Sequence, residues 1–205
     1  MAVLVAMLSA TAGVAFWKIT QARSHPVREA LIVLPESRVI ADFELTNHHG
    51  QPFSLDELRG HWSLVFFGFT NCPDVCPTAL YELQQLKEIL SLNPDAADDV
   101  PRILFVSVDP ERDTVDRLEQ YLAHFDTAFV GLTGAHEQLM PLTRQVGIAY
   151  RIEDHASGAT QYSVDHSSGI MLINPSGRLH GVFPAPHNAE KMAADLQFVI
   201  KQARS

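Results

Sequence analysis

The sequence predicts an α/β domain behind an N-terminal transmembrane helix, and three observations carry that reading. Residues 62–69 and 102–108 are apolar almost throughout, as strands covered on both faces are. Each run is followed by apolar residues at helical spacing. Residues 2–17 contain no charged side chain. A chain of 205 residues with 46% apolar and 19% charged content suits one well-buried domain with an appendage. Its formal net charge of −9 argues against nucleic-acid binding, which needs a basic face.

Residues 1–20 read as a membrane anchor. Continued through Ile19, the apolar segment reaches the lower end of the ~17–25 residues that a spanning helix requires. Trp17 and Lys18 then fall at the interface. A cleaved signal peptide and a buried helix are the alternatives. No basic residue precedes the run, which counts against a signal peptide and gives the positive-inside rule nothing to act on. Anchor and signal peptide alike place the rest of the chain outside the cytoplasm. Without an Arg-rich, acid-poor leader, a bacterial inner membrane with the domain in the periplasm is expected rather than a mitochondrion.

Residues 21–35 read as a tether, and residues 36–203 as the folded domain. Val39, Ala41, Phe43 and Leu45 alternate at the strand period, and Asn47-His48-His49-Gly50 supplies a turn. Ser54 and Glu57 make a capping box for a one-turn helix that Gly60 ends. After the strand at 62–69, Leu80, Leu83, Leu86 and Leu90 form one helical stripe that Asn93-Pro94 stops. The strand at 102–108 leads through Asp109-Pro110 to a helix with Val115, Leu118, Leu122 and Phe125 inward. A short strand at 128–132 precedes a helix at 136–146, which Pro141 should kink or restart. Residues 153–163 look irregular. Strands at 169–173 and 178–183 are joined by Asn174-Pro175-Ser176-Gly177, and a last helix starts from an Asn188 cap. Parallel strands joined by helices, closed by an antiparallel hairpin, predict a thioredoxin-like fold.

The only two cysteines, Cys72 and Cys76, fall at the first strand-to-helix junction. Pro77 suits the first helical position, which puts Cys76 at the N-cap and Cys72 in the loop before it. The helix dipole there favours thiolate. Four-residue spacing permits a disulfide, a redox pair or two thiolates sharing a soft metal ion; a purely structural disulfide would close too short a loop to add much stability. Of ten histidines, most fall in turns, on helices or in the tether and read as solvated or structural; His48-His49 is the adjacent pair suited to adventitious metal. His166 differs, because it precedes the hairpin strand that packs beside the cysteine loop in a thioredoxin-like fold. Two thiolates and one imidazole suit Cu(I), whereas Zn(II) favours a fourth ligand. Asp165 is either an outer partner or a surface charge.

Three segments carry a family resemblance. Phe67-Gly68-Phe69-Thr70 leading into Cys72-Pro73-Asp74-Val75-Cys76-Pro77 resembles the CPxxCP signature of the Sco/SenC family. Ser107-Val108-Asp109-Pro110-Glu111-Arg112-Asp113-Thr114 and Asp165-His166-Ser167-Ser168 resemble two further family segments, in matching order. The resemblance covers about residues 36–203. It implies a membrane-anchored, thioredoxin-fold copper chaperone that helps assemble the CuA centre of cytochrome c oxidase. By that similarity Cys72, Cys76 and His166 bind copper as Cu(I), with Cu(II) left open, and Asp109 contributes near the site. The implied partners are the oxidase's copper-binding subunit and an upstream copper donor.

The rival function is a thiol–disulfide oxidoreductase in which Cys72 attacks and Cys76 resolves. It would keep the oxidase's copper-site cysteines reduced. Three residues between the cysteines, rather than two, count against a general thioredoxin. No separate peroxidatic motif supports a peroxidase.

Overall fold

The structure, a computed structural model, describes residues 29–92 and 100–204. In chain order these form β1 (Ile32–Val39), β2 (Glu44–Asn47), β3 (Pro52–Ser54), a 3-10 turn (Leu55–Leu58), β4 (Ser63–Gly68), α1 (Val75–Ser91), β5 (Arg102–Ser107) and α2 (Val115–Leu122). Then follow β6 (Val130–Thr133), α3 (His136–Val146), β7 (Tyr150–Ile152), β8 (Val164–His166), β9 (Ile170–Ile173), β10 (Arg178–Phe183) and α4 (Ala189–Ala203). The anchor expected at residues 1–20, the first part of the tether and the Asn93-Pro94 stop lie outside the described residues. Among the described residues no helix is long and apolar enough to cross a membrane.

Eight strands form one sheet in the order β1-β10-β9-β4-β5-β6-β2-β3, and β7 pairs with β8 in a separate ribbon. The two apolar runs become β4 and β5, parallel neighbours at the sheet centre. All six residues of β4 are buried, as a strand covered on both faces requires. β9 runs antiparallel on the other side of β4. Leu80, Leu83, Leu86 and Leu90 of α1 are all fully buried, each stabilising the fold by about 1.5–3 kcal/mol. α1 packs against α4, whose Asn188 cap accepts from the Lys191 N–H at 3.0 Å. Ser54 and Glu57 make the expected capping box, and Gly177 (φ +71°) makes the turn of the β9–β10 hairpin.

Four details depart from the sequence reading. Residues 32–35, expected in the tether, belong to β1, which pairs antiparallel with β10. The strand is hard to see because it lies at the sheet edge and carries Pro35, Glu36, Ser37 and Arg38, so its alternation is lost. Accordingly Val39 ends β1, Ala41 and Phe43 sit in a connection rather than in a strand, and Leu45 belongs to β2. α3 runs unbroken through Pro141. Proline there removes one bond, to the Glu137 carbonyl, and both residues are on the solvent face where water replaces it. The irregular stretch at 153–163 is bracketed by the β7–β8 ribbon, whose three-residue strands are too short to show a period.

Both edges of the sheet are interrupted. β1 contains Pro35 and a register shift between Val33 and Arg38, and β3 is three residues long and begins with Pro52.

Candidate metal centre

The cysteine loop leaves β4 at Gly68 and is fastened by a buried carboxylate. Asp113, wholly buried, accepts hydrogen bonds from the Thr70 N–H (2.9 Å), the Thr70 hydroxyl (2.5 Å) and the Ser107 hydroxyl (2.6 Å). Burial pushes its pKa up, against those three donors. Arg117 donates to Thr70 Oγ1 at 2.6 Å and to the Asn71 side-chain carbonyl, tying the loop to α2. A turn then brings the Cys72 N–H to the Phe69 carbonyl at 3.2 Å.

The helix after the loop begins two residues earlier than expected. Asp74 is the N-cap, Val75 the first helical residue, and Pro77 the third. Pro77 is still accommodated, because N–H groups of the first turn have no partner within the helix. The shift places Cys76 inside that turn, where its N–H donates to Cys72 Sγ at 3.4 Å. Cys76 is fully buried and Cys72 half-buried, and both are free thiols. The hydrogen bond from the Cys76 thiol, joined by backbone N–H groups of Cys76 and Asp74, brings the Cys72 pKa down to about 4 despite burial. The same interaction and its own burial push the Cys76 thiol far up. The thiolate is therefore favoured on Cys72 and the proton on Cys76.

His166, at the end of β8, completes the cluster. Its Nδ1 lies 2.9 Å from the Ser167 carbonyl, which can only accept, so the ring proton sits on Nδ1. The Nε2 lone pair is left facing the thiols, 3.5 Å from Cys76 Sγ. Phe69 and Phe66 pack edge-on against the imidazole at 5.7 and 6.2 Å between ring centroids and fix its plane. The three ligand atoms all lie within 4.8 Å of one another. Metal–sulfur and metal–nitrogen bonds of about 2.0–2.3 Å separate trigonal ligand atoms by roughly 3.5–4 Å, so small side-chain rotations close the set on one ion. The donors are soft and low in number, which suits Cu(I).

Asp109 is close by but committed elsewhere. Its carboxylate accepts from Arg112 Nε at 2.5 Å and from the Tyr162 hydroxyl at 2.6 Å. The Arg112 guanidinium stacks on Tyr162 at 3.6 Å, faces Phe69 at 5.7 Å and donates to the Tyr162 carbonyl at 3.0 Å. His155 stacks on Tyr162 at 3.7 Å. This assembly pins the 153–163 segment, which leads directly into β8 and His166. Asp165 is exposed and lies opposite Arg151 in the ribbon.

Most other histidines have structural or surface placements. His48 is buried and accepts the Gly131 N–H at Nδ1 (2.8 Å), while His124 bonds the Gln120 carbonyl. His25 lies outside the described residues. His187 contributes more than its sequence position suggests: its Nε2–H donates to the Ser168 carbonyl at 2.9 Å and so braces the turn behind His166. Gly68 was also missed. A Cβ there would stand 2.7 Å from Cys76 Sγ, so the absence of a side chain makes room for that sulfur. Its place in the Phe67-Gly68-Phe69-Thr70 segment is the available sequence signal.

The sequence profile of the SCO1/SenC family matches residues 34–201. A SCO2-like protein of Rickettsia felis is 40% identical over 141 residues, covering 69% of this chain and 67% of that protein. The structure resembles Arabidopsis thaliana ScoI with copper bound, at TM-score 0.70 and 30% identity over 81% of this chain and 99% of that one. It also resembles Bradyrhizobium japonicum ScoI with copper bound, at TM-score 0.67 and 32% identity over 78% and 98% of the two chains.

Proposed function

As the chain belongs to the SCO1/SenC family, we propose that it is a copper metallochaperone that carries one copper ion between Cys72, Cys76 and His166 to the CuA site of cytochrome c oxidase. The observation that carries this reading is the convergence of two thiols and an imidazole lone pair within 4.8 Å. Three soft ligands hold Cu(I) firmly and leave a coordination position open. A thiolate or imidazole of the recipient enters there, and the half-buried Cys72 is the ligand best placed to leave first. Transfer proceeds by ligand exchange, with no net redox change. The domain would work in the periplasm of a bacterium, tethered to the inner membrane by residues 1–20, and receive copper from an upstream donor.

Anaerobic titration of the reduced protein with Cu(I) tests the reading. One tightly held ion per chain is expected, and His166→Ala should weaken its binding at least about a hundredfold while the domain stays folded. No uptake, or an unchanged affinity in the variant, would overturn it.

The low pKa of Cys72 favours a second activity of the same pair. The Cys72 thiolate attacks a disulfide of the oxidase's copper site and expels one partner thiolate, forming a mixed disulfide. Cys76 then attacks Cys72 Sγ, releases the second partner thiolate and passes its proton to it. The partner gains two electrons and the chain is left with a Cys72–Cys76 disulfide. Copper-free wild type should reduce a disulfide-bonded oxidase fragment, and Cys72→Ser should not. Equal rates would remove this activity.

A further inference from the structure

A groove of about 460 Å³ lies between α3 and β7, and its lining includes His136, Met140, Arg144, Tyr150 and Ile152. His136 and Met140 are four residues apart on α3, which brings their Cβ atoms to about 5–6 Å on one helix face. Met140 is 40% exposed, whereas Met171 and Met192 are buried in the core. The His136 ring is oriented by Tyr150: Nδ1 lies 3.2 Å from the Tyr150 hydroxyl, and the two rings stack at 6.1 Å and 19°. Nδ1 is thus engaged, and Nε2 is the nitrogen available to the groove.

We propose that this groove is a second, weaker soft-metal site, in which His136 Nε2 and Met140 Sδ share a Cu(I) ion. Thioether and imidazole are donors that Cu(I) accepts at low coordination number, while Zn(II) favours four ligands with thiolate or carboxylate among them. Neither donor is anionic, so the bound ion keeps its charge, and exchange toward a thiolate centre is favourable. Arg144 on the groove wall adds a positive charge and Glu137 near Tyr150 a negative one, so the local field neither traps nor excludes a monovalent ion.

Position gives the site its use. Tyr150 is paired directly with His166 across the β7–β8 ribbon. Directly opposed residues project to the same face of an antiparallel pair. Tyr150 therefore lines the groove and is the cross-strand neighbour of His166. An ion resting on His136 and Met140 would be staged beside the strand pair that carries His166. That use rests on the copper-chaperone reading, but the ligation itself does not.

The test uses Cys72→Ser/Cys76→Ser/His166→Ala, which abolishes the first centre, with near-UV circular dichroism as the check that it folds. Anaerobic Cu(I), buffered by a competing chelator, should still bind at one ion per chain, more weakly than in wild type. The Met140 methyl resonance, one of five methionine methyls in the chain, should shift on binding. Adding Met140→Leu, a near-isosteric change at a partly exposed position, should lower the residual affinity by about tenfold or more, or about 1.4 kcal/mol. No residual uptake, or uptake that ignores both Met140→Leu and His136→Ala, would overturn the proposal. Uptake that depends on Met140, together with a wild type that loads no ion on its cysteines, would sink the chaperone reading and leave this site standing.

Discussion

Gly68→Ala is the sharpest test of how the strand end positions the Cys72, Cys76, His166 cluster. The new Cβ would stand 2.7 Å from Cys76 Sγ, 2.9 Å from Phe105 Cε2 and 3.3 Å from Phe105 Cζ, against an ordinary contact of about 3.5–4 Å. Phe105 is fully buried between Phe66 and Tyr121, at 6.1 and 5.8 Å between centroids, and has nowhere to go. The sulfur must yield by about an ångström to restore contact distance. Overpacking of this kind costs about 1–3 kcal/mol, to be read as a lower urea midpoint. A sulfur displaced that far no longer shares an ion well with His166 Nε2, so Cu(I) affinity should fall about ten- to a hundredfold in chelator competition. Gly131→Ala is the control. Its Cβ would crowd Leu122 Cδ1 at 2.9 Å and Leu118 Cβ at 3.1 Å, an overpacking of the same order against α2 and away from the thiols. It should lose similar stability and keep its copper affinity. Wild-type affinity in Gly68→Ala, or an equal loss in Gly131→Ala, would refute the reasoning.

Three further outcomes follow from the same structure. Asp113→Ala leaves the Thr70 N–H, Thr70 hydroxyl and Ser107 hydroxyl without their acceptor and should cost about 3 kcal/mol in urea unfolding; a loss below about 1 kcal/mol would mean water replaces the carboxylate. Tyr162→Phe removes the hydroxyl that binds Asp109 but keeps the ring under Arg112. It should cost about 1.5 kcal/mol and speed amide exchange across residues 153–163, and unchanged exchange would count against the pin. Burial holds the His48 pKa below its ordinary 6.5, and its Nδ1 must stay unprotonated to accept from Gly131. The unfolded chain takes up that proton near 6.5 and the folded one resists, so stability is complete above 6.5 and declines as pH falls below it. His48→Asn, which keeps an acceptor without a titrating ring, should flatten melting temperature between pH 7.5 and 5.5; His187, shifted in the same direction by burial, contributes the residual slope.

Legibility in the sequence tracked how locally each feature is encoded. β4, β5, the α1 stripe and the Asn188 cap are specified by neighbouring residues, and the reading placed them to within a residue or two. The meeting of Cys72, Cys76 and His166 was legible for a chemical reason: the chain has only two cysteines, and His166 falls just ahead of a hairpin strand expected beside their loop. The supporting contacts were not, although the family resemblance singled out Asp109. Asp113 reaches Thr70 across 43 residues, and Tyr162 reaches Asp109 across 53. In one dimension these are ordinary polar loop residues, and their burial exists only after the sheet assembles. Gly68 was invisible for the opposite reason, since what matters there is an atom it lacks. The helix start was misplaced because Pro77 was assigned to the first position of the helix, whereas the whole first turn tolerates proline.

The interrupted sheet edges bear on how the protein behaves in a crowd. An intact outer strand offers a ladder of unpaired N–H and C=O groups to any neighbour. Here Pro35 and the Val33–Arg38 register shift break the ladder on one side, and the three-residue strand beginning at Pro52 truncates it on the other. Neighbouring copies therefore find no continuous backbone seam to zip together.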